Sequence, residues 1–307
     1  MRILLQFPEG LKQQALKHAE ALEREGHEVF ISASPTFGAC DLALDEARAI
    51  KADRLVHFGH CEFKSADFDV EYVEYRTDVP LDVIKDSLSK LESFSTIGLV
   101  TTIQHIHQLK DIKTFYESKG KKVLIGRPFG PAKMDGQVLG CDAGSAASID
   151  SEADAFVYFG GGMFHPLGAL IATTKPFFVA DPFLNKVERI DGQREVYRKR
   201  KKGKVLASID AKRFAIMVST KTGQFNMGLA KTLKQKIEGE GLIAEIVVAN
   251  TFDFESLNNM MEFDAFVNTA CPRMATDDSA RLMKPLLGAD DLSEVLRMKS
   301  ELRSKRR

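Results

Sequence analysis

The chain repeats itself, and the repeat limits what it can fold into. Three segments read alike: "ADRLVHFGH" (52–60), "ADAFVYFGG" (153–161) and "FDAFVNTAC" (263–271). Each sets an aspartate (Asp53, Asp154, Asp264) before an apolar run that ends in small or polar residues. Upstream of each lies the same order of elements. A strand pattern (2–7, 96–101, 214–219) leads to a helical pattern, a glycine and a second strand pattern (28–32, 122–126, 244–248). Leu11, Ala15, Ala19 and Leu22 share one helical face, as do Leu229, Leu233 and Ile237. Gly26, Gly120 and Gly241 stand where a left-handed cap would stop each helix. The strands are continuous apolar runs, as parallel strands covered on both faces must be. A period of about 100 residues is too long for a solenoid. The expectation is therefore an α/β protein of three tandem related βαβ domains with parallel sheets. The segments are 1–95, 96–190 and 213–290, with a basic linker at 191–212 and a charged helix or tail at 291–307.

Composition narrows the function classes. Lys+Arg and Asp+Glu both number 43 in 307 residues, so overall charge gives no reason to expect a direct nucleic-acid or anionic-membrane partner. No apolar stretch reaches the roughly 20 residues of a membrane span, and Met1-Arg2-Ile3 opens straight into a strand pattern rather than a signal peptide. The expected location is cytoplasmic. There, four cysteines serve as thiols or metal ligands rather than as a disulfide framework.

The cysteines follow the repeat. Cys40 and Cys141 are 101 residues apart, the same spacing as Asp53 and Asp154, which puts both in the loop after the second strand of their copies. Cys271 instead follows the third strand, at the position held by His60 and Gly161 in the other copies. Ligands of open parallel sheets bind beyond the carboxyl ends of the strands. Each copy thus offers one cysteine from its ligand-binding edge, against the plain alternative of three small buried hydrophobes. Three converging thiolates can hold zinc with a fourth ligand, or a [4Fe–4S] cluster with one iron open. No close C-x2-C pair, ferredoxin run or CxxxCxxC signature is present. Cys61 lies outside the repeat-related positions and reads as a bystander.

Five motifs then carry a resemblance: "QFPEGL" (6–11), "GACD" (38–41), "HFGH" (57–60), "GQVLGCD" (136–142) and "ACPR" (270–273). In this order they resemble the 2-(3-amino-3-carboxypropyl)histidine synthase family, which begins diphthamide biosynthesis. The departure is Cys61, where that pattern has serine. The resemblance implies a [4Fe–4S] cluster bound by Cys40, Cys141 and Cys271, with the three domains in pseudo-threefold arrangement around it. It implies S-adenosylmethionine as cosubstrate, radical cleavage of its Cγ–S bond, and transfer of the 3-amino-3-carboxypropyl group to a histidine of translation elongation factor 2. It also implies an electron donor and a homodimer of the archaeal type. Two other readings stand beside it: a quinolinate-synthase-like cluster enzyme, and a noncatalytic zinc-binding three-domain protein.

Further residues have a site reading and a structural one. Gly59, Gly160, Gly161 and Gly162 bring bare backbone to strand ends, either for an anionic or adenosyl group or for a tight turn. His60 and His165 occupy equivalent strand ends, as pocket or as packing. Lys221 and Gln224 in "STKTGQFN" (219–226) hold a carboxylate, or belong to a loop capping the next helix. Glu9 faces the site or is a favourable acid in a first turn. The run "YRKRKKGK" (197–204) is a solvated linker or steers an acidic partner. "DPF" (181–183) reads as a turn.

Overall fold

The computed structural model describes residues 1–305 and contains three separate sheets. The first holds β1 (Arg2–Gln6), β2 (Glu28–Ile31), β3 (Arg54–Phe58) and β4 (Val70–Val73). The second holds β5 (Thr96–Thr101), β6 (Lys122–Leu124), β7 (Ala155–Phe159), β8 (Phe177–Asp181) and β9 (Lys186–Arg189). The third holds β10 (Arg213–Ser219), β11 (Ile243–Ala249), β12 (Ala265–Asn268) and β13 (Leu286–Leu287). The strand orders are β2-β1-β3-β4, β6-β5-β7-β8-β9 and β11-β10-β12-β13. Every pair is parallel except β8 with β9. The chain forms two compact units, Met1–Arg194 with the first two sheets and Glu195–Arg307 with the third.

Alternation along the strands builds a core on both faces of each sheet. On β5 and β7, Ile97, Leu99, Val157 and Phe159 pack against Ile112 and Tyr116 of the helix Leu109–Ser118. Val100, Phe156 and Tyr158 turn the other way, toward Ala169 and Leu170 of the helix Phe164–Ala172. The third sheet divides likewise. Phe214, Ile216 and Val218 meet Ala230, Leu233 and Ile237 on one face, while Met217 and Phe266 meet Phe254 and Leu257 on the other. Each such side chain, fully buried, contributes about 1.5–3 kcal/mol relative to exposure.

The repeated aspartates have a structural task. The Asp264 carboxylate accepts the amides of Lys212 (2.7 Å) and Arg213 (2.9 Å), at the start of β10. Asp154 does the same for Ser95 and Thr96, and Asp53 for Arg2. Each locks the entry of the third strand of a copy to the entry of its first. Gly26, Gly120 and Gly241 adopt φ of 88°, 77° and 70°, the left-handed cap their positions predict.

The structure also adds elements. A fourth parallel strand (β4, β8, β13) extends each sheet, and β9 folds back antiparallel after the turn at 181–183. Asp181 makes that turn by accepting the amides of Phe183 (2.9 Å) and Leu184 (3.1 Å). The first helices of the first two copies open as 3-10 turns, Glu9–Gln14 and Ile103–Gln108, before becoming α-helical. The basic run 197–204 is part of a helix, Gln193–Ala207. Lys201 and Lys204 in it pair with the buried Asp291 carboxylate at 3.4 and 3.3 Å. The expected C-terminal helix runs Ala289–Lys305; residues 306 and 307 of that expectation lie outside the described residues.

Candidate functional site

All three candidate cysteines follow carboxyl ends of parallel strands. Cys40 lies in the loop between β2 and the helix Leu44–Ala49, and the last residue of β1 pins that loop. Gln6, 2% exposed, donates from Nε2 to the Asp41 carbonyl at 2.7 Å and accepts the Ala43 amide on Oε1 at 3.1 Å. The same Oε1 is 2.8 Å from His57 Nδ1, and His57 Nε2 is 3.0 Å from His60 Nδ1. Burial, with the His60 ring beside it, pushes the His57 pKa down to about 3. Burial likewise lowers that of His60. Both rings are therefore neutral at physiological pH. The sequence placed His57 and Gln6 inside motifs but assigned neither a role. Their only signal was polarity at strand positions otherwise filled by apolar residues.

Gly59 has φ +91°, and a Cβ there would meet Pro8 Cγ at 2.9 Å, so close packing of "HFGH" on "QFPEGL" requires glycine. Glu9 is exposed and pairs with Lys12 at 2.7 Å; that bond holds its carboxyl below the usual range, with help from the Thr36 backbone in the Cys40 loop. Cys61 accepts a hydrogen bond from Gln137 Nε2 at 3.3 Å, which ties the first copy to the "GQVLGCD" loop.

That loop, which carries Cys141, is held to the end of β5. The Thr101 amide donates to Gly136 O (2.9 Å) and the Val138 amide to Thr101 O (2.8 Å). Asp142 accepts the amides of Ala132 and Gly144, each at 2.9 Å, and so closes the loop on itself. Beside it, the three glycines after β7 differ in what they permit. A Cβ on Gly160 would meet Tyr158 Oη at 2.9 Å, one on Gly161 would meet Phe183 at 2.7 Å, and Gly162 faces open space at φ +74°. His165 is half-buried in the first turn of the helix Phe164–Ala172, its ring edge-on to Phe164.

In the second unit, Cys271 stands three residues past the end of β12. Asn268 fixes the turn, accepting the Ala270 amide (3.0 Å) and donating to the Cys271 carbonyl (2.8 Å). Burial pushes the Cys271 thiol up, against the opposing pull of nearby amides and Arg273. Arg273 itself is buried and grips Asp277 at 2.7 Å across a single π-helical turn, Met274–Asp278. Lys221, 7% exposed, follows β10 with Nζ 3.2 Å from Asn250 Oδ1. Its carbonyl accepts the amides of Gln224 and Phe225. Asn226 caps the following helix through the Leu229 amide. Among the described residues, no group of three or more His, Cys, Asp or Glu side chains is placed to hold a single metal ion.

With this edge chemistry in view, similarity to known proteins is decisive. The sequence model of the diphthamide synthesis protein family matches residues 7–305. The chain belongs to that family. Among its relatives is the 2-(3-amino-3-carboxypropyl)histidine synthase of Pyrococcus horikoshii, 34% identical over 98% of this chain and 87% of that one. Subunit 1 of the Caenorhabditis elegans synthase is 29% identical over 96% of this chain and 75% of its own length. A crystal structure of Dph2 from Pyrococcus horikoshii with a 4Fe-4S cluster superposes with a TM-score of 0.89 at 33% identity, covering 98% of this chain and 87% of that one. The expected three-sheet α/β architecture is borne out. No helix among the described residues is long and apolar enough to cross a membrane.

Proposed function

We propose that this chain is a 2-(3-amino-3-carboxypropyl)histidine synthase that carries out the first step of diphthamide formation on elongation factor 2. One observation carries the reading. In a chain 34% identical to a curated synthase, each of the three sheets presents one of Cys40, Cys141 and Cys271 beyond the carboxyl end of a parallel strand, with Cys61 as a further thiol after β3. On this reading the segments 1–95, 96–190 and 213–290 supply one ligand each. The donor set suits a [4Fe–4S] group: three thiols, with Cys40 and Cys271 half-buried and Cys141 exposed, so none is sealed in a core.

When bound, the cluster supplies the electron that opens the Cγ–S bond of S-adenosylmethionine, yielding methylthioadenosine and the 3-amino-3-carboxypropyl group for transfer. The chain's own residues bind and orient. Cys40, Cys141 and Cys271 hold the cluster. Lys221, with Gln224 beside it, donates to the methionine carboxylate. Gly162 and the helix start near His165 leave room for the nucleoside, and Gly59, Gly160 and Gly161 shape the backbone that borders it. Glu9 lies at the rim. The protein partner is elongation factor 2, with an external electron donor. The assembly is a homodimer and the location cytoplasmic.

The test is anaerobic reconstitution with iron and sulfide, reduction, addition of S-adenosylmethionine and identification of the nucleoside. Methylthioadenosine is expected, and is lost when Cys40, Cys141 or Cys271 becomes alanine. Cys61→Ser should retain full iron and sulfide. An intact cluster that releases no methylthioadenosine would refute the assignment. Sedimentation of the purified chain tests the homodimer.

A further inference from the structure

Each sheet turns one face toward the helix that follows its first strand, and in two copies a second helix completes the cover. On the second sheet, Val83, Ile84 and Leu91, from the helix Asp82–Ser87 and the turn after it, join Ile112 and Tyr116 over β8 and β9. On the third, Leu292 and Val295 of the helix Ala289–Lys305 join Leu233 and Ile237 over β12 and β13. In the corresponding cluster of the first sheet, the helical residues among those described all come from the single segment Glu9–Arg24. In place of a second helix there is a groove of about 410 Å3 beside Ala21 and Leu22, floored by Ile3, Val56, Phe58 and Val73. Leu42, Ala43 and Leu44 pack on the opposite face, so the groove is separate from the Cys40 loop.

Two further observations say what fits it. The residue after each cap glycine meets the covering helix. Lys121 donates to the carbonyls of Leu91 (2.8 Å), Glu92 (3.2 Å) and Phe94 (2.7 Å), where the cover of the second sheet ends. Leu242 packs in one cluster with Leu292 and Val295. The equivalent His27 lines the groove, and its buried Nδ1 has no hydrogen-bond partner. Protonated there, the ring can donate to the orphan carbonyls of a helix end, as Lys121 does. The rim is acidic. Glu25, Asp69 and Glu71 stand around one guanidinium, that of Arg54, which already bonds Asp69 (2.9 Å) and Glu71 (3.1 Å). Arg54 takes the place of Ala155 and Ala265 beneath the other two covers, and its charge keeps an open face soluble.

We propose that this groove docks an amphipathic helix of a partner protein, apolar at i, i+3 or i+4 and i+7 on one face and bearing lysine or arginine on its flanks. The docked helix completes the first sheet in trans, as the chain's own helices complete the other two. The helices that could serve, Asp82–Ser87 and Ala289–Lys305, are packed on their own sheets, which leaves a different protein as the donor.

The test uses the full chain and a peptide of residues 289–305 carrying Glu294→Lys and Glu301→Lys, which keeps Leu292, Val295 and Leu296 and adds basic flanks. In methyl spectra of the labelled chain, Ile3, Leu22, Val56 and Val73 should shift as peptide is added, with Val267 and Leu287 of the third sheet unmoved. Ala21→Phe, which fills the groove, should weaken binding at least about 10-fold, the scale of one buried side chain. Val73→Lys on the groove floor should do the same, and it serves if the first variant fails to fold. The peptide without the added lysines should bind about 2–5-fold more weakly, a difference that about 1 M salt should erase. Unmoved groove methyls, or equal binding by the wild type and both variants, overturns the proposal. So does a dimer that Ala21→Phe dissociates, since a second copy then fills the groove. Groove shifts produced by hexanol but not by the peptide assign it to a small apolar ligand and overturn it as well.

Discussion

Asp264→Ala should weaken the second unit without touching the site. The Asp264 carboxylate accepts two amides, at 2.7 and 2.9 Å, at the point where β10 begins beside β12. Burial alone would raise its pKa, but the Lys212 and Arg213 amides outweigh that and hold it below its ordinary 3.8. Two charge-assisted bonds at full strength are worth about 3 kcal/mol, and solvent exposure of the carboxylate reduces this to roughly 1–2 kcal/mol. For a domain near 100 residues, a loss of 1 kcal/mol lowers the melting midpoint by about 4–8 °C. Asp264→Asn, which keeps an acceptor oxygen but no charge, should lose about half as much. Since the folded carboxyl titrates below its unfolded value, its contribution is complete above pH 3.8 and disappears as pH falls through the folded pKa. Wild type and Asn variant should therefore converge in strong acid. Scanning calorimetry gives the midpoints, and hydrogen exchange at the amides of Lys212 and Arg213 gives the local effect. Unchanged midpoint and unchanged protection in Asp264→Ala would refute the clamp.

Asp291→Ala removes the counter-charge of Lys204, whose side chain is 15% exposed and keeps only the Ala275 carbonyl at 2.8 Å, and removes the acceptor of the Gly288 amide; urea unfolding should report a loss of about 3 kcal/mol, against under 0.5 kcal/mol for the exposed Lys199→Ala. Gly140→Ala would put a Cβ 2.1 Å from Phe164 Cε1, so the ring must shift; a loss of about 1–3 kcal/mol by thermal melting is expected. His57, with a folded pKa near 3 against an ordinary 6.5, remains neutral while the unfolded chain takes up a proton, so stability falls as pH drops from 6.5 toward 3. The slope is at most about 1.4 kcal/mol per pH unit, and His57→Gln should flatten it in urea titrations across that range.

The elements most legible in the sequence were those with long-range periodicity. The runs at 2–7, 96–101 and 214–219 became the central β1, β5 and β10, because a strand covered on both faces must be apolar throughout. β4 and β13 were not legible. β4 is only partly buried and carries Glu71 and Tyr72, and β13 is two residues long, so neither has a pattern distinct from a loop. The helix at Gln193–Ala207 was hidden by its charges. Only Val205 is buried in it, and the Asp291 that neutralises Lys201 and Lys204 lies far along the chain. Of the proposed site, the three cysteines stand out in the sequence by their spacing. The Gln6–His57–His60 chain was not, since hydrogen-bond direction depends on the Asp41 and Ala43 backbone brought there by the fold.

The three copies conserve their frame and differ at its edge. The aspartate clamp, the glycine cap and the 2-1-3-4 strand order recur in each. The last residue of the first strand is buried and polar each time, yet it does different work. Gln6 orients two histidines, Thr101 donates to the Phe159 carbonyl, and Ser219 donates to the Asn250 carbonyl. At the end of the third strand, His60, Gly161 and Cys271 are topologically equivalent but offer an imidazole, bare backbone and a thiol. Because the frame satisfies its own hydrogen bonds near the strand starts, substitutions at the carboxyl edge need not disturb it. Repetition of the frame thus supplies three strand-end edges, and divergence of single residues gives each edge a separate task.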